Sequence, residues 1–463
     1  MRPCATSRVT NLLLVATTTL GAMSAALATT AAWAQIGLGV SQQVGGVWVD
    51  ADGVLRNRQI DETGQVRAAR EAMLRPVPID ARQLGLRKIS LRRLEAAIAA
   101  HLKTGEPLDD EMKYLAGLQH IQYVFVYPEL GDIVLAGPGE GWKINPDGDL
   151  VGLTTGRPVM WLDDLLVALR TTEATRQTGI SCSIDPTNDG VVRVNTLLEK
   201  MARDGFGSNP DELEDGMRAI EQTLGPQMVS IKGIPADSHF ARVIIAADYQ
   251  MKRLAMNFDP SPVKGLPSFL QMMKSGGGGS KNMMQRWWLE PNYESLLVSP
   301  DELAFEIRGA SVKAMTEEDF VAANGSRKRS GRASPLARKW ADNMTAHYDE
   351  LAGKNAVFGQ LRNCIDLAVV SALIVKDRLA EKAHYSMSVF LHDDQLVTEK
   401  FNQPKQIATQ ASVVQKGTSW LISASGGVQM YCWQLAEKAE PSPDLAPARE
   451  KAMLPQDGRW WWN

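Results

Sequence analysis

The chain has 463 residues, with 50 lysines and arginines against 53 acidic residues and a formal net charge of −3. This small acidic excess argues against a general nucleic-acid-binding protein, whose surface would carry a basic face. The length is sufficient for two or three domains with sizeable hydrophobic cores.

The first 34 residues have the features of an export signal. Arg2 and Arg8 make the start of the chain positive, and residues 9–33 form an uncharged, mostly apolar stretch. This stretch ends in a small-x-small pattern at residues 32–34, which predicts cleavage after Ala34 and a periplasmic or extracellular mature protein. An uncleaved membrane anchor is the alternative. No later segment has eighteen uninterrupted apolar residues, so no transmembrane segment is expected after cleavage.

An N-terminal α+β domain is predicted over residues 35–175. Hydrophobic spacing and turn residues predict a hairpin at 45–55, helices at 65–75 and 88–102, a hairpin at 123–136 and a helix at 162–170. The hairpin at 123–136 is apolar on both faces, which favours a central position in a sheet.

A central α+β domain is predicted over residues 176–272. It contains a helix start at Asn209-Pro210, a strand at 228–234 and a helix at 240–256. A flexible Gly-rich loop is predicted over 273–284, because four consecutive glycines follow Ser275.

A C-terminal helical and strand region is predicted over 285–435, followed by a loose tail over 436–463. Within this region the sequence predicts helix starts at Ser299-Pro300 and, more weakly, at Thr316, helices across 336–382, strands at 385–391, 411–414, 420–423 and 428–433, and a turn at Gly426-Gly427. The basic run at 324–335 is interpreted as a solvated loop, with an anion site as the alternative.

These elements predict an α+β fold in two to three subdomains, with mixed or antiparallel sheets and packed helices. A central sheet is expected to include both the hairpin at 123–136 and the strand at 228–234. The helices around 241–256 and 339–380 are expected to pack on it.

Strong metal, nucleotide and catalytic spacings are not found in the sequence. There is no His-Glu-x-x-His, no Cys-x-x-Cys, no EF-hand loop and no Gly-x-Ser-x-Gly. The glycines at 137–141 lack the Gly-Lys-Ser/Thr ending of a phosphate loop. Ser261-Pro262-Val263-Lys264 matches a Ser-x-x-Lys pattern, but Gly265 and Pro267 prevent the helix that this chemistry needs. No metal and no cofactor are therefore predicted.

Three cysteines remain after export, namely Cys182, Cys364 and Cys432. An odd number leaves at least one unpaired within the chain, and the pairing among them stays open. Cys182 and Cys364 lie in apolar patterns, which favours buried structural thiols.

The most distinctive candidate site is aromatic. Arg286, Trp287, Trp288 and Tyr293 follow the Gly-rich loop and are predicted to bind a ligand. Adjacent residues on an extended segment point to opposite faces, so one indole can be buried while the other binds. Burial of both indoles, with Arg286 paired to Glu290, is the alternative.

Several segments together resemble a family of secreted, planctomycete-type bacterial proteins defined by a conserved domain of unknown function. The segments are YVFVYPELGDIVLAGPGEGW (123–142), TGRPVMWLDDLLVALR (155–170), ARVIIAADYQMKRLAM (241–256), RWWLEPNY (286–293), KWADNMTAHYDELA (339–352) and VFGQLRNCIDLAVVSALI (357–374). The resemblance implies an exported protein and brings no activity, cofactor or catalytic residue.

The sequence thus predicts an exported, envelope-associated or secreted protein that binds a partner or has a structural role without catalysis. Its partner would be an envelope protein or a glycan and not nucleic acid. The alternative is an extracellular hydrolase of a polymer or peptide. Its carboxylates would come from acids beside aromatic or Gly-rich segments: Glu129, Asp132, Asp248 and Glu290.

Overall fold

Two large sheets and a set of buried helices build the protein. The computed structural model describes residues 43–57, 65–204, 210–275, 284–309, 311–317, 319–321, 327–329, 331–412 and 423–463. Contacts divide the chain into residues 1–43 and residues 44–463, and the second unit is the one described below. The predicted export signal and residues 276–283 of the predicted Gly-rich loop lie outside the described residues.

The strands are β1 Val47–Val49, β2 Val54–Asn57, β3 Gly85–Ser90, β4 Tyr123–Tyr127, β5 Asp132–Gly139, β6 Trp142–Ile144, β7 Leu150–Gly152, β8 Ile180–Pro186, β9 Gln227–Lys232, β10 Met284–Asn292, β11 Leu296–Val298, β12 Ala304–Glu306, β13 Ser311–Glu317, β14 Asp319–Val321, β15 Arg327–Arg329, β16 Gln406–Ile407, β17 Ser423–Met430, β18 Ala439–Pro441 and β19 Trp461–Trp462. The helices are α1 Gln65–Met73, α2 Leu91–Thr104, α3 Asp110–Lys113, α4 Leu162–Thr171, α5 Asn188–Asp204, α6 Pro210–Leu224, α7 His239–Ala255, α8 Phe269–Ser275, α9 Pro335–Ala346, α10 Tyr348–Lys354, α11 Ala356–Lys376, α12 Leu379–Lys382, α13 Ser388–Leu391, α14 Cys432–Ala436 and α15 Leu445–Lys451.

Sheet A has eight strands in the order β1-β2-β16-β9-β8-β17-β10-β13. Its β10–β17 and β16–β2 pairs are parallel and its other pairs are antiparallel. Helix α7 packs on the middle of this sheet, against β8 and β17. Sheet A is therefore a mixed sheet with its central strands covered by a helix.

Sheet B has seven strands in the order β18-β11-β12-β4-β5-β3-β19. The predicted hairpin forms its centre as antiparallel β4 and β5. Val124 and Val126 point into the main core, whereas Phe125 and Tyr127 point to a second core that α15 closes with Leu445. Both faces of this hairpin are buried, as its apolar pattern predicts.

Helix α11 is buried along almost its whole length, from Ala356 to Ile374. Among the described residues it is the one helix with the length and mean hydropathy, 1.4, of a membrane span, and that window is entirely buried by the protein. It packs on α4, α7 and α14, so its all-round apolar surface is explained by helix neighbours.

The α+β class is confirmed. The prediction of one central sheet is wrong, because the strands form two large sheets. The hairpin at 123–136 belongs to sheet B and the strand at 228–234 belongs to sheet A. One main hydrophobic core nevertheless extends from Val44 to Trp461, and a satellite core joins α5 to α6. The domain boundaries given by the sequence stay predictions.

Several local predictions are wrong. The Ser299-Pro300 segment forms the turn between β11 and β12, where Ser299 Oγ accepts from the backbone N–H of Leu303 and Ala304 at 3.2 and 2.9 Å. The same side-chain oxygen that can cap a helix here closes a hairpin. Thr316 lies at the end of β13, residues 385–391 contain α13 instead of a strand, and the helix expected at 88–102 starts at Leu91, after β3.

The C-terminal segment expected to be loose instead carries β18, α15 and β19. Trp461 is 5% exposed, pairs with β3 and packs under the Arg87 guanidinium, whose Cζ is 4.5 Å from the ring centre. Arg87 has no exposed surface, and burial lowers its pKa to about 10. Burial of an indole and a guanidinium fixes this segment to sheet B.

Candidate functional site

Sheet A splits between two of its central strands. Residues 427–430 of β17 pair with residues 180–183 of β8, whereas residues 423–428 of β17 pair with β10. The remainder of β8, from Ile184, pairs only with β9. Strands β8 and β17 therefore diverge beyond Ser183 and Gly427, and we call this opening the fork.

Two adjacent glycines of β17 lie at the fork and allow close contact with both neighbouring strands. A Cβ on Gly426 would lie 1.7 Å from the carbonyl oxygen of Trp287, and one on Gly427 would lie 1.7 Å from that of Cys182. Gly426 also has φ +114°, a conformation that side chains oppose. Gly426 and Gly427, which the sequence predicts to form a turn, thus lie within β17, where the backbones of β10 and β8 approach closely on either side.

Lys252 fills the fork from helix α7. Its Nζ donates to the carbonyl oxygens of Ile184 at 3.0 Å and Gly426 at 3.2 Å, one on each diverging strand. It also donates to Asp248 Oδ2 at 2.9 Å, one helical turn away. The ammonium therefore satisfies carbonyls that have lost their ladder partner, which matters because unpaired buried carbonyls are costly.

Sequence signals explain the position of Asp248 and Lys252 on α7. Ser238 caps α7, with Oγ accepting from the Ala241 N–H at 3.1 Å, and the i,i+4 spacing puts Asp248 and Lys252 on one side of the helix. The helix is otherwise mostly apolar and is buried on nearly all sides. Both charges consequently lie inside the protein.

Asp248 has no exposed surface, and its Oδ1 has no hydrogen-bond partner among the described residues. Burial raises the pKa of Asp248 to about 7, against the opposing effect of the Lys252 ammonium, and Asp185 on β8 raises it further. The same burial, with Asp248 nearby, raises the pKa of the Cys182 thiol well above its usual value. Cys182 is thus a protonated structural thiol.

A cleft opens beside the fork, with about 370 Å³ of empty space, open solvent included. The part of that space open to the centres of water-sized molecules is about 30 Å³. Its walls come from β8, β9, α7, β16 and β17 and the segments beside them: Ile184, Gln227, Tyr249, Lys252, Arg253, Met256, Phe258, Ile407, Ala408, Gln410, Ser423 and Ala424. We call this opening the fork cleft.

The structure separates the four residues of the aromatic candidate site. Trp287 has no exposed surface and packs between Phe269 and Trp340, at 5.0 and 4.9 Å between ring centres. Trp288 lies on the opposite face of sheet A and is 9% exposed, with the Arg286 guanidinium 5.2 Å above its ring. Alternation along β10 thus buries one indole in the helical core and keeps the other beside Arg286.

Tyr293 is half-buried and packs against the main core. Its hydroxyl donates to Asp366 of α11, which also accepts from His120 Nδ1 and from the Ile121 N–H. Burial, followed by the nearby Asp366 carboxylate, raises the pKa of Tyr293 well above its usual value. Tyr293, directly after β10, is therefore connected to α11 by this hydrogen bond.

The four acids of the hydrolase alternative have separate environments. Glu290 accepts from Trp288 Nε1 at 2.5 Å and lies 3.4 Å from Lys313 Nζ. Asp132 accepts from Ser90 Oγ and the Arg92 N–H at the start of α2. Glu129 is exposed and Asp248 is buried at the fork. None of the four hydrogen-bonds to another in the described parts of the chain.

No metal centre stands out. Across the described ranges, no three or more His, Cys, Asp or Glu side chains are arranged to hold a metal ion. Cys182, Cys364 and Cys432 are all buried and unpaired.

Comparison with known protein families gives a match that overlaps the fork. Residues 182–269 match the model of a family described as a protein of unknown function (DUF1598). This segment starts in β8, ends at the start of α8 and contains Asp248 and Lys252 as well as seven of the twelve residues that line the fork cleft. No curated protein and no solved structure matches the chain.

Sequence reasoning considered Asp248 only as an isolated acid and missed Lys252. The signal that identifies the pair is an acid and a lysine at i,i+4 within a helix that is apolar on both sides of them. Adjacent glycines inside an apolar run, at 426 and 427, were the second signal, since they permit close backbone approach.

Proposed function

We propose that the protein is an exported binding protein that acts in the periplasm or outside the cell, with the fork cleft as its ligand-binding site. The observation that carries the proposal is the composition of the cleft wall. Apolar side chains alternate with Gln227, Gln410, Tyr249 and Ser423, and in the described part of the chain no His, Cys, Asp or Glu lines it. Such a wall offers hydrogen bonds and apolar contact but no general base, which favours binding over hydrolysis.

The polar groups of the wall are already oriented. Gln227 Nε2 donates to Ser423 Oγ at 2.8 Å across the fork, and Arg253 Nη1 donates to Gln410 Oε1 at 2.7 Å. Side chains held in this way lose little further freedom when a ligand binds, which favours affinity.

Export is the second part of the proposal, and the charged start, apolar stretch and residues 32–34 support it. The resemblance to secreted, planctomycete-type proteins points the same way. Expression of the full chain in a Gram-negative host should deliver a soluble protein to the periplasm, with Gln35 as its N-terminal residue. A protein that stays in the membrane with Met1 intact would contradict export.

The cleft is tested by blocking it from an exposed wall position. Ala408 is exposed and lines the fork cleft, so Ala408→Trp should fill the cleft without disturbing the core. Ala202 on α5 is exposed and outside the lining, and Ala202→Trp is the matched control. Native mass spectrometry of periplasmic protein should show a bound small molecule in the parent and the control but not in Ala408→Trp. Equal retention by Ala408→Trp, or no bound molecule in any of the three, would contradict the cleft as the binding site.

We also propose that the protein binds a larger partner, an envelope protein or a glycan, and that Arg286 and Trp288 contact it. Of the two indoles only Trp288 retains any exposed surface. Trp288→Ala should fold and lose partner recovery from envelope extracts, whereas Trp287→Ala should lose stability by about 3–5 kcal/mol. Unchanged recovery by folded Trp288→Ala would remove this surface from the proposal.

A further inference from the structure

Among the described residues, the charged side chains that line the fork cleft are two cations, and the Asp185 carboxylate lies at the fork, where it accepts from the Gly426 N–H at 3.4 Å. Lys252 and Arg253 line the cleft, whereas their carboxylate partners do not. Asp248 is fully buried behind Lys252, and Asp259 holds Arg253 from outside the lining. Neither carboxylate lines the cleft, although the Asp259 side chain is 37% exposed.

Arg253 is fixed at this wall by several contacts. Its Nε and Nη2 donate to the two carboxylate oxygens of Asp259 at 2.6 and 2.8 Å, and Nη1 donates to Tyr249 Oη at 3.1 Å. Its Cζ lies 5.4 and 5.8 Å from the ring centres of Tyr249 and Phe258. A guanidinium held in place on aromatic rings is well suited to an anionic group beside an apolar surface.

Apolar contacts complete the wall on the other sides. Ile184, Met256, Phe258 and Ile407 contribute hydrocarbon or aromatic surface, and Ala408 and Ala424 leave room between them. A fully hydrated inorganic ion would leave this surface without a partner. An organic anion would use both parts of the wall.

We propose that the fork cleft binds a small organic anion, of which an aromatic or aliphatic carboxylate is the simplest example, with its charged group toward Lys252 and Arg253 and its apolar body against Phe258 and Ile407. This inference rests on the proposed function, because it names the ligand class of that same cleft.

Asp248 then regulates the cleft. The charged groups that act on it are Lys252 on its own helix and Asp185 on β8, the Cys182 thiol faces it from β8, and β17 carries no titratable side chain. When Asp248 takes up a proton, Lys252 keeps its charge without a compensating carboxylate. An anion in the cleft can supply that compensation, so binding of one anion favours uptake of one proton.

The experiment uses a matched pair of probes, 2-naphthoate and 2-naphthamide, which have nearly the same shape and differ in charge. Isothermal titration of the exported protein at pH 6.5 should show naphthoate binding roughly tenfold more tightly than the amide, the usual gain of a charge-assisted hydrogen bond over a neutral one. The preference should shrink as the pH rises to 8, where Asp248 is ionised.

Two variants test the roles of the charged groups. Asp248→Asn preserves shape and removes the negative charge, so naphthoate should bind more tightly and lose its pH dependence between 6.5 and 8, with the amide unaffected. Arg253→Gln should weaken the binding of naphthoate several-fold more than it weakens the binding of the amide.

Two results would overturn the anion proposal, namely equal affinity for both probes and an Asp248→Asn variant that binds naphthoate as the parent does. A third outcome separates the two proposals: the amide binds, Ala408→Trp prevents its binding, and naphthoate binds no more tightly than the amide. The cleft is then a binding site and only the proposed ligand class is wrong. If neither probe binds at millimolar concentration, the ligand class is wrong as well, and the retained-ligand measurement decides the cleft independently.

Discussion

At the residue scale, Asp248 shows how burial changes the chemistry of one side chain. Its carboxylate has one cationic partner, Lys252, which also serves two backbone carbonyls. Because desolvation penalises the charged form, the pKa of Asp248 rises from 3.8 to about 7 in the folded protein. The folded state therefore binds a proton that the unfolded state releases between these two values.

This difference predicts a pH dependence of stability. Since the folded pKa is the higher one, the contribution of Asp248 to the free energy of unfolding is fully favourable below about pH 4 and is lost as the pH rises to about 7, at about 1.4 kcal/mol per pH unit. Urea unfolding of the parent and Asp248→Asn at intervals from pH 4.5 to 8 measures it. The difference between the two proteins should change with this slope below pH 7 and level off above it.

Asp393→Asn is the control, because Asp393 is exposed. Its stability difference from the parent should stay constant with pH. A constant difference for Asp248→Asn as well would show that Asp248 is ionised throughout the range.

At the scale of elements, strand β17 depends on its two glycines. β10 lies against one side of the strand and β8 against the other, and the distances at Gly426 and Gly427 leave no room for a methyl group. Lys252 Nζ donates to the carbonyl oxygen of Gly426, so the ammonium contacts β17 at this point of close approach.

Gly426→Ala should therefore destabilise the protein by more than the usual effect of a glycine substitution, with a loss of about 3 kcal/mol or more from combined backbone strain and overpacking. Gly353→Ala, in helix α10 with nothing within 4 Å of the added methyl, is the control and should be neutral or stabilising by about 0.5–1 kcal/mol. Thermal unfolding of both variants provides the test, and equal melting temperatures would be inconsistent with a tight fork.

At the scale of the whole molecule, the C-terminal segment closes sheet B. Trp461 on β19 pairs with Ile89 on β3, and its Nε1 donates to Glu111 Oε2 at 3.1 Å. Asn463 Oδ1 accepts from Arg87 Nε at 2.8 Å. The last residues of the chain are thus held by contacts with residues 87–111.

Trp461→Ala should cost about 3–5 kcal/mol of stability, because it removes a buried indole and uncovers the Arg87 guanidinium. Met453→Ala, at an exposed position of the same segment, should change stability by about 0.5 kcal/mol or less. Chemical denaturation of the two variants compares them. A Trp461→Ala protein as stable as Met453→Ala would mean that the segment is loose in solution.

Local sequence patterns predict much of the fold. The hairpins β1–β2 and β4–β5, the helices α4, α6 and α7, and the buried character of α11 follow from hydrophobic period, turn residues and caps that act over a few neighbouring residues. The same local signals were misleading at Ser299-Pro300, where a capping serine serves a hairpin. Only the partner strand distinguishes the two uses.

The sequence by itself determined the α+β class, the apolar faces of most elements and the prediction of export. Tertiary structure alone decided that the hairpin and the strand at 228–234 enter different sheets, that Trp287 and Trp288 separate, and that Asp248 and Lys252 meet a split between β8 and β17. The physical reason is the distance along the chain over which each interaction acts. Helix and turn signals are local free energies, whereas a fork cleft exists only after strands almost 250 residues apart in sequence have been placed side by side.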